Sequence, residues 1–397
     1  MTRLPSLLLD TLRFRQGASV GPRFLTYTVT FHCNARCVMC DSWRKPSPEE
    51  LSVAELEGIF AQFPKLDAVR LTGGEPFVRQ DLVTIATLAH ERLRPTFLHV
   101  TTNGFLTDRI VAFCEDRPKS LPLRLLVSLD GVGDYHNNVR GRETAWEAAT
   151  ATLSALAPRQ RDLGLQLSVN QTVVDAAGIE QMRRLRSLLA PLGVRHQAVL
   201  AYRGSAMYDV ATESLHEPST DGAFVGFGRL DDREVDSLIA ELNTSLASLP
   251  LPERIAKQYY IRGLSSRLKG HAPSPKPPCV ALNAHLRMLP NGDIPICQFN
   301  TLRVGSLRRQ TLAEALDSAA IHAGRAWVKR CHGCWAECEA LPNALYSGDI
   351  VGVSIRAALA KMDPRRRKQH PPTTAQPGPA SEALQKRAAP LLRLNRE

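Results

Sequence analysis

From residue 25 to about residue 200 the chain alternates short apolar runs with amphipathic helical patterns, six times over, and this alternation restricts the fold more than any other feature. The runs at 25–30 (L-T-Y-T-V-T), 68–71, 98–101, 123–129, 165–174 and 196–200 read as strands. A helix is expected over 52–63, where Ser52 and Glu55 form a capping box and Leu56, Ile59, Phe60 and Phe63 share a face. Further helices are expected over about 80–92 and 106–115, then from a Thr144/Glu147 cap towards Leu156. A further helix, between the fifth and sixth strands, carries Ile179, Met182, Leu185 and Leu189 on one side. Strands joined by helices pair in parallel through crossovers, so the fold class is α/β. Six units are too few for an eight-stranded closed barrel, and the expected form is a partial (β/α)6 parallel barrel. Parallel sheets build their active sites at the C-terminal ends of the strands, where the polar and glycine-rich residues of this chain collect.

The first of those strands runs directly into F-H-C-N-A-R-C-V-M-C over 31–40, a C-x3-C-x2-C spacing. Three thiolates on one short loop hold three corners of an iron–sulfur cube and leave a fourth iron open to an exogenous ligand. A zinc knuckle completed by His32 or Asp41 is the alternative reading of the motif alone. Eight of the nine cysteines fall at 33–40 and 279–338, a clustering that points to metal ligation. Cys114, among Ile110, Val111 and Phe113, reads as a small buried hydrophobe.

This spacing, with the strand before it and Gly73-Gly74-Glu75-Pro76 after the second strand, resembles the radical S-adenosylmethionine (SAM) superfamily. The resemblance covers roughly 25–203 and resumes over the second cysteine group. It implies a [4Fe-4S] cluster on Cys33, Cys37 and Cys40, SAM chelating the open iron, and cleavage of SAM to a 5′-deoxyadenosyl radical that takes hydrogen from substrate. By the same resemblance Gly73, Gly74 and Glu75 bind the methionine amino group, and Met39 lies against adenine. Ser128 and Asp130 lie near the ribose, Asn103 lines the same cavity, and Asn170 contacts the methionine carboxylate or ribose. A plain strand-to-helix turn explains Gly73, Gly74 and Pro76 equally well, but gives no reason for Glu75. Arg140 in H-N-N-V-R-G matches a family loop of structural role, and Arg203 meets a carboxylate or solvent.

Downstream, Cys279 and Cys297 flank H-L-R-M-L-P-N-G-D-I-P-I-C, which reads as a β-hairpin turning at 290–293. A helix over 311–320 precedes Cys331-x2-Cys334-x3-Cys338. The order resembles the SPASM and twitch domains of radical SAM enzymes. Five cysteines instead of seven imply the twitch form, one auxiliary [4Fe-4S] cluster on Cys279, Cys297, Cys331 and Cys334, with Cys338 spare or an alternative ligand. A zinc ribbon is the competing reading. The expected division is an N-terminal helical extension (1–23), the core (24–203), a helical insert and Pro-rich linker (204–278), and the small cysteine-rich domain (279–343). A C-terminal helix (344–362) and a basic disordered tail (363–397) follow.

Charge and composition narrow the function. The net charge is +11, of which the tail contributes +5 through eight Lys or Arg against three Asp or Glu. No base-reading motif accompanies it, which disfavours nucleic acid. The run Leu7-Leu8-Leu9 is too short for a signal peptide, and no stretch approaches a membrane span, so a reducing cytoplasm with unpaired cysteines is expected. Such an enzyme needs an electron donor of the flavodoxin or ferredoxin kind and a small-molecule or peptide substrate. Two dozen residues before the first strand are too few for a fused leader-peptide-binding domain. A zinc-stabilised nucleic-acid-binding or regulatory protein is the rival of another class.

Overall fold

A computed structural model describes residues 3–201, 230–300, 302–331 and 333–352. By its contacts the chain divides into a unit of residues 1–351 and one of residues 352–397, and of the second Gly352 alone is described. The expected polar loop at 212–220, Arg203, most of the expected helix at 350–361 and the basic tail lie outside the described residues.

The six expected strands are present as β1 (Phe24–Thr30), β2 (Ala68–Gly73), β3 (Phe97–Thr102), β4 (Leu123–Ser128), β5 (Gln166–Val173) and β6 (Arg195–Leu200). All pair in parallel, in the order β6-β5-β4-β3-β2-β1. A seventh parallel strand, β7 (His285–Met288), pairs with β1 from Phe24↔His285 to Tyr27↔Met288. The expected hairpin is thereby corrected. Its first arm joins the main sheet, and its second arm, β8 (Asp293–Pro295), pairs antiparallel with β9 (Arg303–Ser306). The turn at 290–293 survives: Leu289 N donates to Asp293 O at 2.9 Å.

The helices are α1 (Arg3–Arg15), α2 (Val53–Phe60), α3 (Leu82–Leu93), α4 (Thr107–Asp116), α5 (Asp134–Arg140), α6 (Ala145–Leu156), α7 (Ala176–Leu189), α8 (Asp232–Thr244), α9 (Leu251–Leu268), α10 (Leu312–Leu316), α11 (Ala319–Arg330) and α12 (Glu337–Tyr346). The Ser52/Glu55 capping box forms on α2. Thr144 makes no capping bond to α6, contrary to expectation, since its φ and ψ of −107° and 20° are not those of an extended N-cap. The single helix expected over 311–320 is two, because Ser318 starts α11 by accepting from Ile321 N. Helices α5 and α12 were not legible as separate elements.

Alternation divides the sheet by chemistry. Leu25, Tyr27 and Val29, with Val69, Leu98 and Val100, are fully buried against the crossover helices. Cys114 belongs to that core, as expected. The opposite face carries Thr26, Arg70, His99 and Arg124 at matching register. Above them, Ser128 pairs in register with Asn170.

Candidate functional site

The cysteine loop leaves β1 at its C-terminal end and is clamped from two sides. Arg36 N and Val38 N donate to Arg140 O and Val139 O of α5, each at 3.0 Å, so the loop runs along that helix like an added strand. On the other side Gly74 N donates to Thr30 O and Glu75 N to His32 O, both at 2.8 Å. This closeness explains the glycines. A Cβ on Gly73 would stand 2.2 Å from Thr30 O, and one on Gly74 would stand 2.2 Å from His32 O. Glycine here lets the β2 end press against the cysteine loop.

Glu75, for which the turn reading had no reason, is buried and ties two strand ends together. Its carboxylate accepts from Phe77 N (3.1 Å), Thr102 Oγ1 (2.8 Å) and Asn103 N (2.6 Å). Burial raises its pKa to about 7 against the lowering effect of those donors. Asn103 in turn donates through Nδ2 to Asn34 Oδ1 at 2.6 Å, which links β3 to the cysteine loop. Asn170 lies half-buried within β5, three residues before its C-terminal end, accepting from Gln197 Nε2 at 3.3 Å. Met39 packs beside Val139, Val174 and Ala201.

Asp130 is fully buried just past β4, and its oxygens are engaged within the protein. Oδ1 accepts from Thr172 N (2.9 Å) and Arg140 Nη2 (3.0 Å), while Oδ2 lies 2.6 Å from Arg140 Nε. Arg140 also donates to Cys37 Sγ at 3.6 Å. Sequence reasoning left Arg140 aside, yet it joins the predicted acid to the predicted ligand loop. Burial opposes its charge, and Asp130 with Cys37 more than offsets burial, so its pKa is raised. His136 was missed altogether. Its Nδ1 accepts from Asp130 N at 3.0 Å, and burial with Arg140 pushes its pKa down to about 2, so it is a neutral, Nε2-protonated ring.

The three thiols lie near enough to act on one another. Burial pushes Cys33 up to about 12 and Cys40 up to about 11, with the neighbouring thiols adding to both shifts. Left alone Cys33 and Cys40 are neutral, and a cation is needed to hold them as thiolates. Among the described residues no three His, Cys, Asp or Glu side chains converge on one metal ion. A cube spreads its thiolates over separate irons, so three converging on a single point is not its signature. The donor set fits a cluster with one iron left open.

The second cysteine group is assembled by distant elements. Cys279 precedes β7, Cys297 follows β8, Cys331 closes α11, Cys334 follows it, and Cys338 lies in the first turn of α12. Trp335, fully buried, fixes the last segment by donating to Tyr260 O of α9 at 2.9 Å, and Glu337 pairs with Lys257 of α9 at 2.5 Å. Burial raises the pKa of Cys279, Cys334 and Cys338, and raises Cys297 to about 12. Cys338 donates to Gln298 Oε1 at 3.0 Å. Beside them Glu339 accepts from Arg287 Nε at 2.8 Å and lies 3.3 Å from His285 Nδ1. Burial opposes its ionisation, but Arg287 and His285 prevail and hold it down to about 2. All thiols of this group are electrostatic neighbours of one another or of Glu339, which suits a closed, fully liganded metal centre.

Residues 27–187 match the family model of the Radical SAM superfamily. Over these residues the chain is similar to that superfamily. That superfamily uses a [4Fe-4S] cluster and SAM. The chain is 30% identical, over 212 residues, to Fe-coproporphyrin III synthase of Methanosarcina barkeri (strain Fusaro / DSM 804). The match covers 52% of this chain and 50% of that protein. The chain thus spans about half the length of the curated relative it matches. In fold it is similar to Streptococcus suis SuiB bound to S-adenosylmethionine, with a TM-score of 0.53 at 14% identity over 79% of this chain and 70% of that one. It is also similar to native anSMEcpe with bound AdoMet and Cp18Cys peptide, with a TM-score of 0.52 at 13% identity over 85% and 99%. No helix among the described residues is long and apolar enough to cross a membrane.

Proposed function

We propose that the chain is a radical SAM oxidoreductase acting on a small metabolite or a peptide. Cys33, Cys37 and Cys40 would hold the SAM-binding cluster, and Cys279, Cys297, Cys331 and Cys334 an auxiliary one, with Cys338 beside it. The bound cluster and SAM supply a 5′-deoxyadenosyl radical that takes hydrogen from substrate. The observation that carries this reading is the C-x3-C-x2-C loop, held at the C-terminal ends of a parallel sheet inside the matched domain. Arg140 would lay positive charge beside Cys37 and keep the loop seated on α5. The Gly73–Glu75 backbone would present its remaining polar groups to the methionine end of SAM, and Ser128 at the β4 end, in register with Asn170 of β5, would face the ribose. Met39 would flank adenine.

Peptide and small-molecule substrates both stay in view, since SuiB was solved with the precursor peptide SuiA and anSMEcpe with a peptide. A reducing cytoplasm and a flavodoxin- or ferredoxin-type donor suit unpaired cysteines and a reducible cluster. The test is anaerobic reconstitution, followed by chromatography for 5′-deoxyadenosine after incubation with SAM and dithionite. Production in the wild type and its absence in Cys40→Ala supports the reading; robust production by Cys40→Ala sinks it.

A further inference from the structure

The inner face of the sheet carries cations where a parallel sheet ordinarily buries apolar or neutral side chains. At one level across the strands the register aligns Arg287 of β7, Thr26 of β1, Arg70 of β2, His99 of β3 and Arg124 of β4. Two strands further on, Arg195 of β6 lies on the same face, two residues nearer the C-terminal strand ends. Paired residues of a parallel sheet face the same side, so these groups share one face of the sheet. Their interactions agree: His99 feels both Arg70 and Arg124, and Arg70 feels Arg287.

The carboxylates available do not match this charge. Glu339 is taken by Arg287, and Glu253 of α9 is shared between Arg195 (3.0 Å) and Arg124 (3.5 Å). Glu337, which also acts on Arg70, is paired with Lys257 at 2.5 Å, so four guanidiniums and one ammonium face three carboxylates, leaving two positive charges. The Arg70 side chain makes no hydrogen bond to another described residue; its guanidinium lies over the Phe24 ring, 5.1 Å from the centroid. Arg124 lies likewise over Phe97 at 4.6 Å. Both arginines are half-buried, and burial depresses the pKa of each. His99 Nε2, between them, is shielded from solvent and has no hydrogen-bond partner. Unpaired charge and unpaired polar atoms in a recess are costly unless something anionic joins them.

We propose that this row binds the oxyanion groups of the substrate, which is therefore a dianion carrying carboxylates or phosphates, gripped by Arg70 and Arg124 with His99 between. The inference rests on the radical SAM reading only in calling the ligand a substrate. Arg70 lies three residues before Gly73 on β2, about 10 Å along the strand. Arg70 and Arg124 stand two strands apart, again about 10 Å. An anion held there extends its body towards the strand ends where the cysteine loop sits. At the other end of the row Arg287 and Glu339 adjoin Cys338, so the bound molecule reaches towards both cysteine groups.

The test is isothermal titration calorimetry on anaerobically reconstituted, full-length protein, with adipate, neutral adipamide and inorganic phosphate as probes. Adipate or phosphate should bind, adipamide should not, and the affinity should fall as salt rises from 0.05 to 0.5 M, on the order expected for screened ion pairs. Preference for adipate identifies carboxylates as the groups recognised; preference for phosphate identifies phosphates. Arg70→Gln and Arg124→Gln should each weaken binding about tenfold, the loss expected for one charged hydrogen-bonding partner, and Arg70→Lys should recover part of it. Arg70→Gln should also melt within a few degrees of wild type, because Glu339 and Glu337 keep Arg287 and Lys257 as their own partners. Binding of neither anion, or equal binding by wild type and both Gln variants, overturns the proposal. Should Arg70→Gln fail to fold, Arg124→Gln and Arg70→Lys decide. Reductive formation of 5′-deoxyadenosine is measured in the same samples and should persist in Arg70→Gln. Its absence from the wild type would refute the enzymatic reading while leaving anion binding to stand or fall by itself.

Discussion

The two cysteine groups reach similar chemistry by opposite routes. Cys33, Cys37 and Cys40 occupy eight consecutive residues on one loop, and the fold's part is to seat that loop between α5 and the Gly73–Gly74 end of β2. The downstream thiols come from five places spread over 60 residues, and they meet only because β7 docks on β1 while α9 grips Trp335 and Glu337. Each group also sits beside a buried arginine–carboxylate pair, Arg140–Asp130 in the first and Arg287–Glu339 in the second. In both, the guanidinium reaches a thiol: Cys37 at 3.6 Å and Cys338 at 3.9 Å. Contiguous ligands tolerate a change in remote packing, whereas assembled ligands depend on it.

The comparison breaks most sharply at the ligands. Replacing Cys33, Cys37 and Cys40 by Ala should take reconstituted iron from about eight to about four per chain and abolish 5′-deoxyadenosine. Cys331→Ala with Cys334→Ala should lose a similar share of iron yet keep slow, substrate-independent SAM cleavage. Full iron in the triple variant, or equal loss of cleavage in both, would show the assignment of the two clusters to be wrong.

The ion pairs come next. Arg140→Ala strands the buried Asp130 carboxylate and should cost about 3–5 kcal/mol by denaturant unfolding. Arg287→Ala should cost less, about 2 kcal/mol, because His285 remains beside Glu339. Equal losses would mean that His285 contributes nothing to Glu339.

Acid sharpens the same contrast. The carboxyl of Glu339 is held at about 2, below its usual range near 4.3. A depressed folded-state pKa contributes stability above the unfolded value, and that stability is lost as pH falls from about 4.3 through 2. Arg287→Gln should therefore shift acid unfolding, followed by circular dichroism, to higher pH; an unmoved midpoint would deny the pair any such role. Glu75 has the opposite sign. Burial raises its pKa to about 7, so its protonated form is favoured in the fold and stability falls as pH rises from about 4.3 through 7. Glu75→Gln should flatten that slope, leave the iron content near wild type, weaken SAM binding several-fold, and cost about 1 kcal/mol through one poorly satisfied donor. Unchanged SAM affinity would reduce Glu75 to a tie between β2 and β3.

Much of the frame was readable from local pattern. The six strands fall within two residues of their expected places, because period-two and near-period-four apolar spacing reports the face that a residue presents wherever its neighbours lie. The capping box at Ser52 and Glu55 was readable for the same reason, each group lying within one turn of its partner. The cysteine loop, Gly73, Gly74 and Glu75 were found, but their partners were not. Only the fold shows that the glycines yield to Thr30 and His32 carbonyls, and that Glu75 binds donors 27 and 28 residues away.

By itself, then, the sequence of this protein determined what each segment is: strand, crossover helix, ligand loop. Periodicity and capping are local, and short-range sterics enforce them without help. Tertiary structure alone decided what each face meets. The pairing of β7 with β1, across some 260 residues, carries no local signal, and the four residues H-L-R-M suit a hairpin as well as a sheet edge. Arg140 became a tie between acid and thiol only when α5 folded over the cysteine loop. Arg70 and Arg124 read as the polar half of an alternating strand, which in an open sheet faces water. Here the opposite face packs under α9 and α12, so the same alternation turns cations into a recess, where an unpaired charge calls for an anion.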